Sequence, residues 1–248
     1  MTTIPKTSTA LAALIRADFA TLKSNRRSAM LSLLVPVIIL ISWKSLIDKM
    51  GGAYALSSAI TFGLMAIGLM GYAITISRDR DKGVFQRLRV APVPRWTIMV
   101  SRLIIQLAMI ILLTLVVFYV GYSFDKITLS PLGYVLTLFT AIVGGAVYLS
   151  LGQLMVGLIK NPETVNATTR IVYSAFILVG MFGESGLLGE QTKHLVQWSP
   201  YGSVKLMLAA SMNPAQWTSD TTFALLASVA YIVVFAAIGI QKFKWNTK

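Results

Sequence analysis

The sequence predicts an all-α integral membrane protein. It has six transmembrane helices, an N-terminal interfacial helix and a re-entrant outer helical segment after the fifth span. Three observations predict this. Of 248 residues, 56% are hydrophobic and 12% charged, against roughly 25% charged in a soluble domain, so the apolar residues are solvated by lipid rather than gathered in one core. Those residues fall into six runs, most of them near the about 20 residues that cross about 30 Å of hydrocarbon. Finally, the basic residues collect in alternate connections between the runs.

The N-terminal 28 residues lack the continuous apolar core and small-residue cleavage site of a signal peptide. Leu11, Leu14, Ile15, Phe19 and Leu22 fall on one helical face, with Arg16 and Lys23 off it, which predicts an interfacial helix over 1–28. Asp18 projects into the apolar stripe. It is either an acid at the stripe's water-facing level or the partner of a basic residue on another element, such as Arg78 or Arg102. The apolar runs are then Met30–Ile47 (with Pro36 inside), Tyr54–Ile76, Thr97–Tyr119, Leu132–Ile159, a fifth beginning near Ile171 and ending at Glu184, and Thr222–Ile240. The fifth holds only thirteen residues up to Gly183, about 20 Å of helix, and so looks too short to cross alone.

With both termini inside, the inner segments hold seventeen basic and four acidic residues, the whole net charge of +13, while the outer ones hold five of each. This is the positive-inside pattern of a cytoplasmic membrane. Trp43, Trp198 and Trp217 at outer ends, with Trp96 and Trp245 at inner ends, fit an aromatic belt. The charge is therefore topology rather than a nucleic-acid footprint. There is no cysteine and one histidine, His194, which leaves no disulfide framework or thiolate chemistry. The chain has no Gly-x-x-x-x-Gly-Lys-Ser/Thr loop, no His-Glu-x-x-His pair and no Gly-x-Ser-x-Gly elbow.

Two connections stand out. Ser77–Arg102 carries seven basic residues against Asp79 and Asp81. Within it, Val84, Phe85, Leu88 and Val90 are spaced as a short amphipathic helix, ended by Pro92 and Pro94. Between Gly180 and Asp220, Gly180, Gly183, Gly186 and Gly189 recur every third residue around Glu184, followed by Trp198, Ser199, Pro200 and a short apolar helix. This is either an ordinary outer loop with two short helices or a re-entrant lid over a pathway, in which Glu184 and Pro200 would take part. In the third and fourth spans, Gln106 and Gln153 either bond a neighbouring helix or face the pathway.

The order of these parts resembles a bacterial ABC-2 type transporter permease. The closest local likeness is the run Asp81, Lys82, Gly83, Val84, Phe85, Arg87, Leu88, Arg89, Val90, Ala91, Pro92, Val93, Arg95. The family's loop runs acid, basic, acid, x, Gly, Thr, then an apolar–basic turn ending Pro-Val-x-Arg. Here Asp79 and Asp81 stand where Glu is usual, and Val84 where Thr is usual. The resemblance covers the whole chain in architecture and this loop in motif. It implies one transmembrane domain over 1–248, with a coupling loop at 77–98 and an outer segment at 184–220. It also implies the permease subunit of an ATP-driven exporter, pairing with a second permease copy and with a separate ABC ATPase that binds ATP and Mg. Carried over by position, Arg80, Lys82, Phe85, Arg87, Leu88 and Arg89 would be the contacts to that ATPase, with the interfacial helix of Arg16 and Asp18 beside them. The residues alone also allow a solvated basic loop on anionic lipid. Two further functions stay open: a partner-independent secondary transporter or channel, and a lipid-modifying enzyme built on Glu184, Glu190 and His194. The apolar spans and short outer loops suit an amphipathic or hydrophobic cargo, drug-like or lipid-linked.

Overall fold

A computed structural model describes residues 6–24, 26–89, 94–186 and 189–244. Among these there are helices and connections and no strand. In chain order the helices are α1 (Thr7–Ser24), α2 (Arg26–Ser42), α3 (Lys44–Met50), α4 (Gly52–Met65), a π-helical segment (Ala66–Ala73), α5 (Ile74–Asp81), α6 (Val84–Arg89), α7 (Arg95–Asp125), α8 (Pro131–Leu158), α9 (Pro162–Glu184), α10 (Glu190–Trp198), α11 (Pro200–Met212), a 3-10 turn (Pro214–Gln216) and α12 (Ser219–Lys242). Among the described residues, five stretches are long and apolar enough to cross a membrane: 52–81, 96–125, 131–158, 162–184 and 219–242.

The starts of the long helices are written locally. Ser130 accepts from the Gly133 N–H with Pro131 behind it, Asn161 from Glu163 and Thr164 with Pro162 behind it, and Ser199 from Gly202 with Pro200 behind it. Each pairs an N-cap oxygen with a proline whose missing N–H is harmless in the first turn. A capping box between Thr218 and Thr221 opens α12.

The continuous column α4–π–α5 is the axis of the bundle. In its most apolar window 83% is buried, against 17% for α9 and for α12, which form the rim. Apolar contact alone does not drive helices together in lipid, so close approach matters, and glycines allow it here. A Cβ on Gly152 would lie 2.5 Å from the carbonyl oxygen of Gly68, which seats α8 on the π segment. A Cβ on Gly157 would lie 2.5 Å from the carbonyl oxygen of Gly239, which seats α12 on α8. Around these crossings Ile60, Phe62, Leu64, Leu113, Tyr148 and Tyr201 fill the main core.

Three expectations change. The fifth apolar run is the second half of a 23-residue helix, α9, about 35 Å long. Its first half, with Thr164, Asn166, Thr168 and Thr169, is polar and escapes a hydropathy count, so shortness no longer argues for a re-entrant continuation. The 77–98 loop is mostly helix: Ser77–Asp81 ends α5 and Arg95 opens α7, leaving α6 and its flanks as the connection. The amphipathic helix is present as α6, while Val90 to Val93, including Pro92, lie outside the described residues. The first run breaks at Trp43, and its apolar helical part is Met30–Ser42. On α1, Leu14 and Leu22 pack on the bundle while Phe19 is 58% exposed, as an apolar side chain facing the membrane interface would be. Beyond α9, α10 is largely exposed, but α11 is buried against α4, α8 and α12.

Candidate functional site

At one end of the bundle the ends of α5, α8 and α12 meet α6 and the start of α7. Arg80 is the centre of this end. It is 1% exposed. Its Nη1 donates to the Val156 carbonyl at 2.7 Å, and its Nη2 donates to those of Ile159 at 2.7 Å and Lys160 at 2.8 Å. These oxygens belong to the last turn and exit of α8, where intrahelical partners run out and the helix dipole favours a cation. The guanidinium carbon also lies 5.7 Å from the centre of the Phe243 ring at the end of α12. Phe85 of α6, fully buried, meets the same ring edge-on at 5.8 Å. Tyr72, Ile76, Ile98, Val156 and Val165 complete this second core.

Two of the six residues expected to contact a partner are therefore turned inward. In this conformation Phe85 holds α6 to the bundle, Arg80 holds the end of α5 to the α8 exit, and neither offers a partner a surface. Lys82 and Arg87 are exposed, Leu88 is half-buried, and the Arg89 side chain lies outside the described residues. The outer face of α6 is thus basic and polar, and its inner face apolar.

The interfacial helix joins the same end through charge. Arg102 of α7 reaches Asp18 with Nε at 3.1 Å and Asp79 with Nη2 at 2.6 Å. The Ser101 hydroxyl donates to Asp18 at 2.7 Å. Of the two partners the sequence suggested for Asp18, the structure selects Arg102. Burial pushes the Asp18 carboxyl above its usual range, against the opposing pull of Arg102 and Ser101. Arg16 is exposed. Gln106 lines a cavity of about 70 Å³ with Asp18, Ser32, Gly71 and Arg102. Gln153 is bound to its neighbours: it accepts from the Tyr72 hydroxyl at 2.7 Å and donates to the Gly239 carbonyl at 3.5 Å. It also lines an apolar recess of about 470 Å³ between α7, α8 and α12.

At the far end, Glu184 closes α9 and pairs with Lys205 of α11. The Tyr54 hydroxyl donates to the same carboxylate at 3.4 Å. Lys205 Nζ stands 3.6 Å from the centre of the Tyr54 ring, which stacks in turn on Trp43 at 6.5 Å. Pro200 opens α11, and its carbonyl accepts from the Tyr148 hydroxyl at 3.2 Å. Glu190 pairs at the surface with Lys193, and His194 is exposed, so the three groups considered for an enzyme are spread among separate tasks. Sequence reasoning missed Lys205, Asp79 and Phe243. The available signal for Lys205 was a lone cation in the apolar run 204–210, one helix reversal from a lone acid.

The family described as ABC-2 type transporter matches residues 9–201. A protein of Bacillus subtilis (strain 168), YvfS, named for the transport-permease role assigned to it, is 25% identical over 187 residues, 74% of each chain.

Proposed function

This chain belongs to the ABC-2 type transporter family, a multi-pass membrane permease rather than an enzyme, and from that premise we propose that it is the membrane subunit of an ATP-driven exporter. The family implies partnership with an ABC ATPase subunit, which would bind ATP and Mg. The observation that carries the proposal is the two-sided character of α6. Its outer face presents Arg87, with Lys82 exposed in the turn before it, and its inner face is fixed by Phe85 to Phe243 after α12, beside Arg80, which ties the end of α5 to the α8 exit. A displacement of α6 by a partner must then move those helix ends with it, since a packed contact transmits strain rather than absorbing it. Exposed charges set register and partner choice, and the buried pair makes the connection stiff.

In this reading the α6 end faces the cytoplasm of a bacterial inner membrane, as the basic residues around it favour. Both termini lie on that side. α2 and α3 together make the first of six crossings, and a second permease copy completes the pathway. α10 and α11 form a re-entrant lid that enters from the far side. The cargo is amphipathic or hydrophobic.

The test is purification of the tagged chain from its native membrane in mild detergent, with mass spectrometry and an ATPase assay. Stoichiometric recovery of an ABC ATPase is expected. Arg87→Glu and Lys82→Glu together should lower that recovery and the permease-dependent ATPase rate by tenfold or more, with the permease's melting temperature unchanged. Transport by the chain alone, with no ATPase recovered, would overturn the proposal.

A further inference from the structure

We propose that the pocket at the far end of the bundle binds the anionic group of an amphiphile, with Lys205 as the recognising cation and Glu184 as a built-in competitor that the ligand displaces. The pocket holds about 300 Å³ between α4, α9, α10 and α11, the lower end of the range for small-molecule sites. Lys205 lies at its wall, 5% exposed. An ammonium brings three donors and no acceptor. Among the described residues, Lys205 makes one hydrogen bond, to Glu184, and turns its charge to the Tyr54 ring face. Donor capacity is left over in a buried place, where a charge-assisted bond to an anion is strong.

The charges around the pocket favour an anion. Lys193, Lys205 and Glu184 line it, one positive charge in excess. The rim cation Lys193 is about half exposed and 3.6 Å from Glu190, which offsets its charge at the surface, so the buried Lys205 is the cation that recognises the ligand. A cationic ligand would have to compete with Lys205 for the Glu184 carboxylate. The remaining wall is largely apolar, with Leu206 and Ala209 on one face of α11, and Ser57 and Gln197 add polar groups. The apolar part gives a small inorganic ion nothing, but it accommodates the first methylenes of an attached chain. Displacing Glu184, the last residue of α9, also releases the tie between α9 and α11, so occupancy and loosening of this end are one event.

Only the identification of this ligand as cargo rests on the exporter reading. Binding itself is measured on the permease without any ATPase, so the two can fail separately. The full-length chain in a neutral maltoside detergent is titrated with dodecyl phosphate, dodecyltrimethylammonium and inorganic phosphate. The readouts are tryptophan fluorescence, reported by Trp43 on Tyr54, and melting temperature. Dodecyl phosphate should bind at least tenfold more tightly than the chain-matched cation and than inorganic phosphate. Lys205→Met should weaken it tenfold or more, Lys205→Arg should retain it, and Glu184→Gln should tighten it severalfold. Tighter binding of the cationic probe would overturn the proposal. So would unchanged affinity in Lys205→Met, or equal losses in Lys205→Met and Glu184→Gln. Equal affinity for inorganic phosphate would overturn the amphiphile. Should the variants fail to fold, the native chain's preference among the three probes decides.

Discussion

Replacing Arg80 with methionine keeps the unbranched length of the side chain and deletes the guanidinium. Three bonds of 2.7–2.8 Å to the α8 exit vanish. Hydrogen bonds to a charged group contribute about 1.5–3 kcal/mol each, so a simple sum over the three is about 4.5–9 kcal/mol. Two corrections reduce it. Burying the guanidinium costs the native state several kcal/mol of desolvation, and the Ile159 and Lys160 carbonyls, at the half-buried and exposed exit of α8, can turn to water. The Val156 carbonyl lies deeper and is left unpaired, at about 1–3 kcal/mol. The expected net loss is about 3 kcal/mol, measured by denaturant unfolding in mixed micelles with tryptophan fluorescence. Hydrogen exchange should locate it, with protection falling in 156–165 and in α6 while the α4 core keeps its protection. Arg80→Lys, one point charge instead of a fork, should recover less than half. Arg87→Met, at an exposed site, should stay within about 0.5 kcal/mol of native. If Arg80→Met unfolds within 1 kcal/mol of native, the guanidinium does not hold these helix ends together, and transmission from α6 through Arg80 fails with it.

Two further outcomes are expected. A side chain at Gly239 would place its Cβ 2.7 Å from backbone atoms of Gln153 and Leu154, which cannot swing aside. Gly239→Val should destabilise by about 1–3 kcal/mol, the usual cost of overpacking, whereas Gly71→Ala, whose Cβ meets only ordinary contact, should leave the melting temperature within a few degrees of native. At Asp18 the folded carboxyl titrates above the unfolded one. The folded state therefore takes up its proton first as pH falls, and protonation stabilises it. The melting-temperature difference between native and Asp18→Asn should accordingly shift in favour of the native chain from pH 7 to pH 4. A shift in the opposite direction would mean that Arg102, rather than burial, governs the group.

How much was legible follows from the range of each signal. Apolar runs of nineteen residues or more announced the column 52–81, α7, α8 and α12, because lipid imposes composition over a whole helix. The period-3.6 pattern announced α6. The start of α9 was hidden because a helix that begins with Thr164, Asn166 and Thr168 is written in caps and propensity rather than hydropathy. The inward turn of Arg80 and Phe85 was hidden for another reason. A basic residue near a span end reads as topology until its partners are known, and Arg80's partners lie 76 to 80 positions away. Asp18 was half legible: its place in an apolar stripe allowed either a water-facing acid or a cation partner, and choosing Arg102 needed the packing of α1 on α7. The π segment has no sequence marker beyond two glycines.

That segment also fixes how the chain can be cut and compared. Between Ala66 and Ala73 the backbone closes wider loops than an α-helix does, so the column holds surplus length at its middle. Removing a single residue there would let an uninterrupted α-helix form with the flanking turns close to their present facing, because the wider loops absorb the surplus residue. The same deletion in α4 or α5, where there is no surplus, would rotate everything beyond it by about 100° and swing Arg80 away from the α8 exit. A one-residue gap between relatives is therefore best placed within the π segment, where Arg80 keeps its position.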